Sequence, residues 1–154
     1  MHMYKFISYK DVQRLVAIVE LEKYPNYSEI NNLAKSISEY LDSVILSSFI
    51  YYFPSNTNSN NDFTYVAILS TSHIVISSYQ ENEKVYLDID VAWCSGKIVN
   101  IEEFTKIFYN LFKNIRIITI KVYDYLGNMM MAFSPEEMMT AEGSDSSDYI
   151  HQTF

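Results

Sequence analysis

Apolar and polar residues alternate with a period of two through the middle of the chain. Ile74 and Ile76 share one face of a run over 73–79, and Val85, Leu87, Ile89 and Val91 share one face of a run over 85–92. That period marks β-strands. Residues 64–69 precede them as a run too apolar for a half-exposed strand, and the polar QENEK of 80–84 reads as a hairpin loop. Three consecutive antiparallel strands place Ser72 at one strand junction and Cys94 at the end of another. A hydroxyl, the imidazole of His73 and a thiol then meet at one end of a sheet. This is the geometry of a site, but patterning alone names no reaction.

The flanking sequence supplies the remaining elements. Leu15 to Leu21 is a nearly continuous apolar run, suited to a central strand covered on both faces or facing a partner sheet. Tyr24-Pro25-Asn26 breaks it, and Ser28 is placed to cap a helix with Glu29 in its first turn. Ile30, Leu33, Ala34, Ile37, Tyr40 and Leu41 line one face of that helix, over about 29–42. A second strand covers Val44–Phe53 and stops at Pro54, before the polar loop PSNTNSNND of 54–62. Asn100 caps a second helix with Ile101, Phe104, Ile107, Phe108, Leu111 and Phe112 on one face, and Ile115–Tyr123 makes a last strand. Gly127 ends the patterned region. The order β-α-β-β-β-β-α-β predicts a two-layer α/β sandwich, a mainly antiparallel sheet with two helices on one face. The expected organisation is one domain over 1–126 and a tail over 127–154, Met-rich and then acidic and partly flexible. The helix-free sheet face is expected to be apolar, which predicts a homodimer.

Composition narrows the partners. Half of the 154 residues are apolar, with 14 Tyr and 9 Phe, enough to build a core. A formal charge of −8 argues against nucleic acid, whose phosphates are held by Lys and Arg, and suits a cationic small molecule. One cysteine forbids an intramolecular disulfide, and with three histidines it disfavours a metal site. With no apolar run of about 18 residues and no leader pattern, no membrane partner is expected and the compartment is read as cytoplasmic.

STSHIVISSYQE over 70–81 and DVAWCSG over 90–96 carry a resemblance to a known family. In order and spacing they resemble the bacterial and archaeal S-adenosylmethionine decarboxylases, whose hallmark is a strand with Glu-Ser-His, a Trp-Pro-Glu turn and a strand ending Asp-Val-x-x-Cys-Gly. The likeness extends over about 13–123, including Ile18-Val19-Glu20 and Phe53-Pro54. It implies self-cleavage between Thr71 and Ser72 through an N→O acyl shift, then elimination that turns Ser72 into a pyruvoyl group. That built-in ketone serves as the electron sink for decarboxylation, with no metal. By position, Cys94 is the implied proton donor and Thr64 matches a serine that assists processing. Glu81 matches the acid of the Trp-Pro-Glu turn and Tyr79 its aromatic position. Phe53 is implied to stack on adenine. Glu20 and Glu81 are solvated carboxylates by default, and suit a cationic substrate if they line an acidic pocket with Tyr79 and Phe53. Decarboxylated S-adenosylmethionine feeds spermidine synthesis; an arginine-decarboxylating relative shares the fold.

The sequence also departs from the family. The second histidine, base for the elimination, falls on Ser77, whose hydroxyl is too weak a base at neutral pH. Thr71 replaces Glu, and the 80–84 hairpin is two residues longer. Neighbours on a strand face opposite sides, so His73 is expected to point away from Ser72 and to line the site. The residues left open two functions: an active decarboxylase, or an uncleaved relative that binds ligand or pairs with an active paralogue. By default Ser72 is a turn residue and Cys94 a small buried hydrophobe.

Overall fold

The computed structural model describes residues 7–54 and 61–135. The first six residues, the centre of the 54–62 loop and the acidic end of the tail lie outside these residues.

Alternation along Gln13–Leu21 (β1) turns Leu15, Ala17, Val19 and Leu21 into the core, each almost fully buried. Six further strands follow: Ile45–Tyr52 (β2), Phe63–Leu69 (β3), Ser72–Glu81 (β4), Lys84–Trp93 (β5), Ile115–Tyr123 (β6) and Met129–Phe133 (β7). They form one sheet in the order β2-β3-β4-β5-β1-β6-β7, and every neighbouring pair is antiparallel. Two helices, Tyr27–Tyr40 (α1) and Ile101–Leu111 (α2), pack on each other and on one core built from alternate strand residues. The expected two-layer sandwich is therefore the observed one.

The helix ends follow from their caps. Asn100 caps α2 as expected, its side chain accepting from the Glu103 amide at 3.1 Å. For α1 the cap is Asn26 rather than Ser28. Asn26 Oδ1 accepts from the Glu29 amide at 2.8 Å, and Glu29 Oε1 accepts from the Asn26 amide at 3.0 Å. This reciprocal box needs an acid three residues past the cap, which Asn26 has and Ser28 lacks.

Beside the α1 cap, three other expectations change. The 80–84 loop is a two-residue turn, with Asn82 and Glu83 at φ 51° and 62°, and Glu81 and Lys84 already paired. Positive φ at both positions is the turn whose twist matches a hairpin. The ladder runs unbroken from this turn to the register Ser72↔Trp93 at its far end. Met129–Phe133 joins the sheet beside β6, with Met131 and Phe133 packed against the core, so the tail begins later than expected. Asp124 holds that turn, accepting from the Leu126 and Asn128 amides at 3.0 and 2.9 Å, with Gly127 at φ 82°.

The helix-free face is the fourth difference. Within this chain β1 and β3 are covered on one side only: Val16, Ile18 and Val66 are half-buried and Ile68 is 51% exposed. The face is not uniformly apolar either, because the alternation that buries Leu87, Ile89 and Val91 turns Asp88 and Asp90 outward.

Phe108 sits fully buried between α2 and the sheet, edge-on to Phe104 with centroids 5.5 Å apart. Phe108→Ala should lower the unfolding free energy by about 3–5 kcal/mol in urea denaturation. A loss under ~1 kcal/mol would mean that the helix layer is not part of the core.

Candidate active site

The β3–β4 turn, Ser70-Thr71, is held by hydroxyls. The Ser70 amide donates to the Val44 carbonyl at 2.8 Å, and the Val44 amide donates to Ser70 Oγ at 3.0 Å. Thr71 Oγ1 donates to Ser43 Oγ at 2.8 Å, and the Ser43 and Ser70 hydroxyls lie 3.1 Å apart. Small hydroxylated residues suit such a turn because each satisfies backbone or neighbouring polar groups locally. Ser72 opens β4 with φ at 144°. L-residues avoid that value, and holding one there costs of order 1–3 kcal/mol, a strain that clusters at functional sites.

Two contacts flank the Thr71–Ser72 bond. Cys94, directly after β5, donates Sγ–H to the Thr71 carbonyl oxygen at 3.2 Å. Ser72 Oγ lies 3.1 Å from His73 Nδ1. The expectation that His73 points away from Ser72 is therefore overturned. Alternation applies to extended backbone, and Ser72 at φ 144° is not extended. The Ser72↔Trp93 pairing brings Cys94 to the turn. Trp93 is fully buried with Nε1 donating to the Lys97 carbonyl at 2.9 Å, and Ser95 Oγ donates to the Leu41 carbonyl at 2.7 Å. Thr71, Ser72, His73 and Cys94 thus form one compact, half-buried group.

The other expected residues lie elsewhere in this chain. Thr64 and Ser77 are cross-strand partners with hydroxyl oxygens 2.9 Å apart. Five residues of strand separate Ser77 from Ser72, roughly 16 Å. Tyr79 and Glu81 are exposed further along β4, with Glu81 about 30 Å from Ser72 by the same rise. Phe53 is exposed at that same end, its amide donating to the Asp62 carbonyl at 2.8 Å and its ring edge-on to Tyr51. Glu20 accepts from Arg116 Nε at 2.8 Å and forms an ion pair with that guanidinium, so it does not stand as an open carboxylate in an acidic pocket. Tyr24 and Ser78 both donate to Asp62 Oδ1 at 2.9 Å, and burial together with Asp62 pushes the Tyr24 phenol up to about 12.

Sequence reasoning missed Asp88, Ser43 and Ser70. Asp88 is the cross-strand partner of Ser77 on the helix-free face, two residues from Asp90. Its signal was present in the alternation that defined β5. Asp88 faces outward, and the partial desolvation of its carboxyl against the sheet surface, with the Asp90 charge second, raises it above its ordinary value. Ser43 and Ser70 carry no sequence signal, because their role depends on the α1–β2 connection meeting the β3–β4 turn.

One antiparallel sheet roofed by a single layer of two helices makes this chain a two-layer α/β sandwich. Residues 17–123 match the model of the S-adenosylmethionine decarboxylase family, and the chain belongs to that family. The match runs from β1 through β6 and spans Ser72, Ser77 and Cys94. No curated protein matches the chain. No helix among the described residues is long and apolar enough to cross a membrane.

The raised Asp88 carboxyl makes a stability prediction with a definite sign. The unfolded chain ionises this group at a lower pH than the folded one, so folded stability falls as pH rises from the ordinary carboxylate range through the folded value. Asp88→Asn removes that penalty. Its melting temperature should match the wild type at low pH, where both side chains are neutral, and exceed it at neutral pH. Equal melting curves at neutral pH would contradict the shift.

Proposed function

We propose that this protein is a pyruvoyl-dependent decarboxylase of S-adenosylmethionine, serving spermidine synthesis, that cuts its own chain between Thr71 and Ser72. The observation that carries this is the Cys94 thiol on the Thr71 carbonyl, 3.2 Å away, beside a serine at φ 144°. Cleavage here requires attack on that carbonyl, and a donor on its oxygen stabilises the charge that develops. The residues fit the implied group. Ser72 has its hydroxyl at the start of a strand, and the Ser43–Ser70–Thr71 hydroxyls fix the segment before it. A pyruvoyl group at position 72 supplies a ketone electron sink for loss of CO₂. Cys94 Sγ holds a proton at that position, suited to returning it to the substrate carbon.

Substrate recognition on this reading needs a second copy of the chain. Phe53, Tyr79 and Glu81 offer aromatic faces and a carboxylate for a sulfonium cation, yet they lie about 23–30 Å along the sheet from Ser72. Thr64 and Ser77 are also out of reach. Two sheets packed on their helix-free faces at ~10 Å would bring one copy's far end over the other's turn and cover Val66, Ile68 and Phe49. A homodimer is therefore part of the proposal. Light scattering at micromolar concentration should give the dimer mass; a monodisperse monomer would remove the second-copy site.

Ser77 favours a second reading, an uncleaved relative that binds ligand or pairs with an active paralogue. The two readings separate by intact mass of freshly purified protein. Pyruvoyl formation gives fragments 1–71 and 72–154, the second lighter by the mass of ammonia than a chain starting at Ser72. Full-length chain, or fragments with an unmodified Ser72, supports the second reading. In that case Ser77→His should restore at least partial pyruvoyl formation. If it does not, the decarboxylase proposal falls.

A further inference from the structure

We infer that His73 is the base that starts self-cleavage, taking the Ser72 hydroxyl proton within one chain. This rests on the reading of Thr71–Ser72 as the cleavage site and adds a residue for its first step. The geometry is direct: Ser72 Oγ lies 3.1 Å from His73 Nδ1, within the range for proton transfer. With the neutral imidazole protonated on Nε2, Nδ1 is an acceptor. The same backbone value that strains Ser72 turns its hydroxyl toward the next side chain, which a regular strand would place on the opposite face.

The step balances within the residues named. His73 Nδ1 takes the Oγ proton as Oγ bonds to the Thr71 carbonyl carbon. The carbonyl π pair moves to its oxygen, which accepts the hydrogen bond from Cys94 Sγ. The oxygen re-forms its double bond as the Thr71–Ser72 C–N bond breaks, and the imidazolium proton passes to the departing nitrogen. The product is an ester between the Thr71 acyl group and Ser72 Oγ, with a free amine on Ser72. No external reactant is consumed. The later elimination removes the Ser72 Cα proton, a separate demand, and the missing histidine at Ser77 affects that step. The two proton transfers thus have different bases, and the chain retains the first.

An ester is cut by neutral hydroxylamine and an amide is not, so the folded full-length protein reports the shift directly. The rate of appearance of fragment 72–154, spontaneous or hydroxylamine-driven, is measured by mass spectrometry. Ser72→Ala should give none. His73→Gln, which keeps a hydrogen-bonding side chain but no base, should cut about 100-fold more slowly or worse, and exogenous imidazole should restore part of the rate in His73→Ala. Thermal melts show whether each variant is folded. A folded His73→Gln that cuts at the wild-type rate overturns this inference and leaves the cleavage site standing. A wild type that yields no fragment, or a Ser72→Ala variant that still does, overturns the cleavage site itself and the inference with it.

Discussion

Everything at the candidate site depends on the β4–β5 register. Ser72 opposite Trp93 puts the residue after β5 level with the turn before β4, and Cys94 reaches the Thr71 carbonyl for that reason alone. A slip of one residue would send the β5 side chains to the wrong face and expose Leu87, Ile89 and Val91. Burial of these three, each worth about 1.5–3 kcal/mol, therefore locks the chemistry as firmly as it locks the fold. Extra length at the far hairpin is expected to be tolerated for the same reason. Two residues added at the far end extend the ladder by one pair and move nothing at the Ser72 end.

The helix-free face is under the opposite constraint. β2, β3 and β1 give it Phe49, Val66, Ile68, Val16 and Ile18, while β5 gives it Asp88 and Asp90. Apolar area of this kind favours contact with another surface, and two carboxylates in its middle oppose dry burial. Asp90 lies two strands from Lys121, with Val16 between them. A covered face must then match these charges or protonate a carboxyl, and the raised Asp88 carboxyl is the group closer to doing so.

The three consecutive antiparallel strands β3-β4-β5, the single helix layer and the meeting of Ser72 with Cys94 were legible in the sequence because they rest on period-two burial and on two motifs at ends of neighbouring strands; the places of β1, β6 and β7 in the sheet were not. Strand β7 was not, because its ladder needs only backbone groups and MMMAF has no alternation to betray it. The Asn26 cap was readable from the acid three residues on, yet the eye goes to serine. That His73 lies at the same sheet end as Ser72 was legible, but the turn of its ring toward the Ser72 hydroxyl was not. It comes from one backbone torsion that breaks the alternation rule, and nothing in the letters Thr-Ser-His announces it.

That torsion also bears on what a cut would do. The φ angle of Ser72 is defined through the carbonyl carbon of Thr71, so breaking the Thr71–Ser72 bond is the cut that abolishes the constraint. The ladder survives it. β3 would end one fragment and β4 begin the other, joined by six paired positions from Thr64↔Ser77 to Leu69↔Ser72. Thr71 would stay tied to Ser43 by its hydroxyl, and β4 would stay clamped to β5 along ten pairs. The strain is thus placed where its release costs no tertiary contact. A strained serine in the middle of a strand would gain nothing by cleavage, because the sheet would hold both ends in place against the relaxation. At the first residue of a hairpin strand only the two-residue turn has to relax.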